Sequence, residues 1–131
     1  MTGVQTCALP ILLGGTDAGA HLDLLATFNA TSAMLGSAVR QRGLLSWEEA
    51  VHHLSDVPAR MYGIKDRGRL AEGYHADVLV IDPNTVGPKP TYARYDLPGG
   101  AWRLYGEADG FEHVLVNGTE IVRDEIGRAH V

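Results

Sequence analysis

Apolar and polar positions divide this chain into a helical first half and a strand-rich second half. The run ILLGG at residues 11–15 is short, apolar and closed by glycines, which is the pattern of a buried strand. Over 22–42, Leu22, Leu25, Phe28, Leu35 and Val39 recur at helical spacings and predict a helix. Gly43 follows as its C-terminal cap, after Arg40 and Arg42, whose charge suits a helix C-terminus. Thr27, Asn29, Thr31 and Ser32 weaken the middle of this helix and allow a break or bend. Ser46 and Glu49 have capping-box spacing and open a second helix whose apolar face is Ala50, Val51 and Leu54. Pro58 either kinks that helix or starts a short new one, which Gly63 closes.

Beyond Lys65 the pattern changes. DVLVIDP, at residues 77–83, is a β-branched strand ended by Asp82 and Pro83. Residues 83–100 are rich in proline and glycine and carry no periodicity. HVLVNGTEIV, at 113–122, predicts a hairpin, because Asn117-Gly118 tolerates the two positive φ values of a type I′ turn. No repeat is present.

The 131 residues allow one modest domain with a real but small core, and 45% apolar content is that of a folded protein. A net charge of −5 with scattered basic residues argues against a nucleic-acid surface, and the apolar runs are too short to cross a bilayer. The N-terminus lacks the basic segment of a secretory signal. The one cysteine, Cys7, precludes an internal disulfide framework and fits a reducing cytoplasm.

Both ends stand apart from the rest. QTCALPI (residues 5–11) and EIGRAHV (125–131) can be encoded on opposite strands of one duplex. Codons GAG-ATC-GGA-AGA-GCA-CAC-GTC, extended by TG, contain the reverse complement of CAG-ACG-TGT-GCT-CTT-CCG-ATC-T, which resembles a sequencing-library adapter. The expectation is that residues 1–11 and 125–131 are translated adapter and that the natural segment runs from about Leu12 to Asp124. In that case the chain is a fragment and Cys7 carries no biology.

Chemistry concentrates in GGTDAGAH, at residues 14–21, where an acid and an imidazole sit among residues with almost no bulk. At the C-terminal end of a barrel strand, such small neighbours leave space beside Asp17 for substrate or metal. An acid there accepts a proton from water and returns it to a leaving group. Asp23 reads as an N-terminal helix charge. The glycines do not form a phosphate loop, since no Gly-Lys-Ser/Thr follows. His52 and His53 are adjacent and so diverge on a helix, while His75 and His113 lie away from any acidic cluster. All four read as surface or packing residues, and Trp47 and Trp102 as packing anchors.

TDAGAH after a strand, followed by EEAV, PAR, GI and RGRLAEGYHADVLVID, resembles the C-terminal part of an amidohydrolase-superfamily enzyme. GGTDAGAHLD and EHVLVNGTEIVRD are most similar to the D-aminoacylase-like branch, the N-acyl-D-amino-acid deacylases. The resemblance implies an α/β fold: a fragment of a metal-dependent (β/α)8 barrel plus part of a small β-sandwich. Residues 12–64 would be the last barrel strand and following helices, and 65–124 the sandwich portion. It implies zinc-dependent amide hydrolysis of a small N-acyl amino acid in the full-length enzyme. Asp17 would take a proton from metal-activated water and deliver it to the amide nitrogen, with His21 near the substrate. The barrel's histidine ligands and seven of its strands are absent from this sequence, so the fragment alone is expected neither to hold zinc nor to hydrolyse anything. A cyclic-amide amidohydrolase of the dihydropyrimidinase or dihydroorotase kind is the alternative within the enzymes. Outside them, the alternative is a β-rich binding module with a helical arm. Resequencing the locus tests the origin of the ends: a genomic read should encode neither tail, and one that encodes both without adapter would refute the assignment.

Overall fold

The computed structural model describes residues 16, 19, 21–124 and 126–127. The strand expected at 11–15, Asp17, and all of the suspected tails except Ile126 and Gly127 lie outside the described residues.

The first expected helix is shorter than its apolar spacing indicates. It begins as α1 (Ala30–Ala33) and continues as a π-helical stretch over Met34–Gln41. Residues 22–24 form a turn and 25–27 run irregularly instead: the amides of Leu24 and Leu25 both donate to the His21 carbonyl, and the Leu22 carbonyl accepts from the distant Leu104 amide at 2.8 Å. That tertiary bond commits the Leu22 backbone outside any helical ladder. Asn29 stands at the N-cap, and the Ser32 hydroxyl donates back to its carbonyl at 3.0 Å, the local competition that polar residues bring to a helix start. Asp23 therefore precedes the helix by a turn-rich segment and is not its N-terminal charge.

Helix α2 (Trp47–Leu54) carries the full capping box. The Glu49 amide donates to Ser46 Oγ at 3.1 Å, and the Ser46 amide donates to the Glu49 carboxylate at 2.9 Å. Ala50 is fully buried and Leu54 shares its side, whereas Val51, turned about 100° away on the helix, is half exposed. Pro58 lies within a short separate helix, α3 (Asp56–Met61), and Gly63 follows at φ 67°.

The second half folds around a four-stranded antiparallel sheet. Its order is β1 (Val78–Ile81), β6 (Phe111–Val116), β7 (Thr119–Arg123) and β8 (Ile126–Gly127). The β6–β7 hairpin turns at Asn117 (φ 51°) and Gly118 (φ 78°), as the two-residue signal requires. Two small ribbons complete the unit, β2 (Gly87–Pro88) with β5 (Ala108–Asp109) and β3 (Tyr92–Arg94) with β4 (Arg103–Tyr105). Two- and three-residue strands are too short to impose a period, which is why 83–100 reads as loop in the sequence. β8 falls within the suspected tail, but its pairing with β7 uses backbone groups that any sequence offers.

The core lies where the two halves meet. Leu35 and Val39 from the π-helical stretch, Ala50 from α2 and Val86 from the loop before β2 are buried, and Trp47, Ile81 and Phe111 pack around them. Two glycines permit this approach. A Cβ on Gly36 would stand 2.8 Å from the Gly87 Cα, and one on Gly110, at φ 76°, would stand 2.5 Å from the Val86 nitrogen.

Polar ties reinforce the junction. Asp56, 6% exposed, receives Arg60 and Arg69, and His52 Nδ1 lies 3.2 Å away, so His52 faces a carboxylate in addition to the surface or packing role expected of it. Arg67 joins Asp77 and donates to the Asn117 side chain at 2.6 Å, tying the interhalf loop to the hairpin turn. His113, read from sequence as remote from acids, faces Glu120 at 2.7 Å across the β6–β7 pair, with Arg123 on the other carboxylate oxygen. Cross-strand register produces that cluster, and register is invisible to local patterning.

Removing the buried charge while keeping its shape isolates its contribution. Asp56→Asn should lower stability by about 2 kcal/mol in urea unfolding, modest for a buried pair because both arginines remain substantially solvated. No change in the unfolding midpoint would show that the cluster does not hold the halves together. Acid should act more broadly. The Asn117 amide and then Arg67 hold the Asp77 carboxyl below its usual range, the Asn84 amide and Thr85 do so for Asp82, and Arg123 with His113 for Glu120. Groups depressed by folding stabilise it above their unfolded pKa values, and that stabilisation is lost as pH falls through the folded ones. Tm should therefore stay level from pH 7 to about 5 and fall steadily below about pH 4. Equal Tm at pH 7 and 3 would contradict this.

Candidate functional site

Asp17, the expected proton carrier, lies outside the described residues, but Gly19 and the chain from His21 onward are described. Gly19 has φ 104° and His21 φ 48°, so the backbone after GGTD turns sharply. A left-handed conformation is unfavourable for a histidine, and the two amides donated to its carbonyl help to hold it. Its side chain is exposed. The turn sends Leu22, Leu25 and Phe28 against the β3–β4 ribbon instead of into a helix.

That ribbon is built as a clamp. Its outer turn, Pro98–Gly100, passes through Gly99 and Gly100 at φ 74° and 76°. Arg103 donates through Nε and Nη2 to both oxygens of Asp96, at 2.8 and 2.7 Å, and Arg94 Nε adds a contact at 3.1 Å. The two arginines also stand over the Tyr105 ring, at 4.5 Å (Arg94) and 5.2 Å (Arg103) from its centroid, and Tyr92 meets that ring edge-on. Arg103 holds the Asp96 carboxyl below its usual range, and Asp96 in turn raises the Arg103 guanidinium. Sequence reading missed this element. The signal was present: tyrosines and arginines alternate in YAR and RLY on either side of the turn-forming PGG.

Between turn and ribbon lies a groove of about 400 Å3, lined by Leu22, Leu25, Phe28, Arg103, Leu104 and Tyr105. Gly19 also lines it, and the Leu104–Leu22 backbone bond ties its two sides together. A second, more open basin of about 510 Å3 lies on the Asp56 side and is ringed by Arg60, Lys65, Arg67 and Arg69. Among the described residues no three histidines, cysteines or acids converge on a point where a metal ion could sit. His21, His52, His53, His75 and His113 are distributed over the molecule, and His52 and His113 already face carboxylates. No described helix is long and apolar enough to cross a membrane. Trp47 packs against the core as expected, whereas Trp102, on the exposed turn of the ribbon, does not join it.

Known proteins supply the context for this arrangement. The N-acyl-D-glutamate deacylase of Alcaligenes xylosoxydans xylosoxydans is 42% identical over 105 residues, covering 80% of this chain and 19% of its own length. The D-aminoacylase of the same organism is 32% identical over 92 residues, covering 70% of this chain and 17% of its own. Among solved structures, the N-acyl-D-glutamate deacylase of Bordetella bronchiseptica, complexed with zinc and a phosphonate inhibitor, superposes with a TM-score of 0.56. It is 34% identical, over 72% of this chain and 18% of that one. The chain thus spans about a fifth of the length of these relatives. The model of the Amidohydrolase family matches residues 10–122, and the chain belongs to that family.

Proposed function

We propose that this chain is the C-terminal portion of a zinc-dependent amidohydrolase that cleaves the amide bond of N-acyl-D-amino acids. The observation that carries the reading is the 42% identity to an N-acyl-D-glutamate deacylase across a stretch that includes most of the chain. Residues 12–64 supply the last barrel strand and the helices after it, and 65–124 part of the small β-sandwich. Support for that division is the described succession of helices up to Met61 followed by strands from Val78. The described histidines and acids do not fit a zinc site by themselves, so a zinc ion would need ligands from outside the described residues.

In this reading Asp17 is the general acid/base. It accepts a proton from the water that attacks the scissile carbonyl and delivers it to the amide nitrogen as the C–N bond breaks, releasing a carboxylate and a free D-amino acid. The same carboxylate serves both steps because it gains a proton in the first and loses it in the second. His21, exposed on the turn that follows, borders the substrate.

The test is Asp17→Asn in the full-length enzyme. This substitution keeps the side chain's size and removes its ability to accept and carry the proton. Release of D-glutamate from N-acetyl-D-glutamate should fall by about 10²–10⁴-fold, while zinc content stays at the wild-type level. Near-normal turnover would remove Asp17 from the mechanism.

A further inference from the structure

We propose that the groove between the 19–28 turn and the β3–β4 ribbon receives the acyl group of the substrate, with Leu25 and Phe28 setting how long that group is. The proposal rests on the deacylase reading above and adds to it the end of the substrate that this part of the chain recognises. Position comes first. Gly19 lines the groove and is two residues from position 17, and two residues of extended chain span no more than about 7 Å. A residue that lines the groove is therefore within that distance of position 17, which supports setting the groove beside the scissile bond.

Size and charge then select the occupant. A volume of about 400 Å3 lies within the usual range of small-molecule pockets and far exceeds a packing defect. Leu22, Leu25 and Phe28 are each left 38–40% exposed there, a cluster of large apolar side chains facing into one depression. Among the described residues Arg103 is the only charged one in the lining, and its Nε and Nη2 are already committed to Asp96. An N-acyl-D-glutamate has an amino-acid end with two carboxylates and an acyl end with none. The doubly charged end would need cations not already engaged, whereas a largely apolar trough whose guanidinium is already held by Asp96 matches the uncharged end.

The two sides of the groove are also tied together. The Leu104–Leu22 bond at 2.8 Å pins ribbon to turn, and Gly106 faces the Phe28 ring so closely that a Cβ would come within 3.2 Å of it. A rigid trough discriminates chain length, because a longer acyl group gains burial only until the trough is full.

The experiment measures kcat/KM of the full-length enzyme for N-formyl-, acetyl-, propionyl-, butyryl- and hexanoyl-D-glutamate. Wild type should rise about two- to fourfold per methylene over the first members and then level off. Leu25→Trp, which fills the groove, should flatten that rise. Phe28→Ala, which lengthens it, should carry the rise on to the hexanoyl compound, and it serves if the tryptophan variant does not fold. Leu70→Trp, at a 77% exposed position outside the groove, should leave the profile unchanged. Hydrolysis with the same length dependence in wild type and both groove variants, or a uniform loss at every length, would overturn the acyl-site assignment alone. No hydrolysis of any of the five by wild type would overturn the deacylase reading and the acyl site with it.

Discussion

The backbone contact between Gly36 and the Val86–Gly87 segment is the constraint on which the rest of this structure depends. With no side chain at 36, the π-helical stretch approaches a β segment closely enough for Leu35 and Val39 to enclose Val86. Gly110 does the same from the other side, so Val86 is enclosed by positions where no side chain fits. The Arg40 guanidinium closes the seam by donating to the Asn84 carbonyl at 2.8 Å. In so small a core, each of these contacts carries a large share of the burial that joins the helices to the sheet.

Much of this architecture was legible locally. Ser46 and Glu49 marked a helix start because a capping box is a contact between residues three apart, and Asn117-Gly118 marked a hairpin because its two φ values demand those residue types. Misreadings arose where a distant group decided the outcome. The 22–28 segment has helical spacing, yet the Leu104 amide claims the Leu22 carbonyl from far along the chain. His113 gained its acidic partner through a strand register at Glu120, whereas the His52–Asp56 pair is an i, i+4 contact that local spacing already offered. The ribbon was hidden because three-residue strands do not establish a period, although its turn residues were plain.

For the candidate site, the family resemblance in GGTDAGAH pointed to a chemical group, and the structure adds what surrounds the segment that follows it. The turn after Gly19 and the ribbon are two elements from opposite halves of the chain, and each is shaped by the other. Asp96 engages both arginines of the ribbon and takes Nε and Nη2 of Arg103, the one that also lines the groove, out of reach of a ligand there. Internal pairing of charges is thus a means of specificity as much as of stability.

The Gly36–Gly87 contact also has a consequence in time. The β6–β7 hairpin needs only a two-residue loop to close, so its pairing costs little chain entropy and is available early. Joining residues 36 and 87 closes a far longer loop, and its reward comes only when Val86, Leu35 and Val39 meet together. The hairpin strands thus have a local route to their shape, while docking of the helical arm waits on that longer closure. A chain caught before that step presents a formed hairpin beside an apolar helix with nothing yet to cover it.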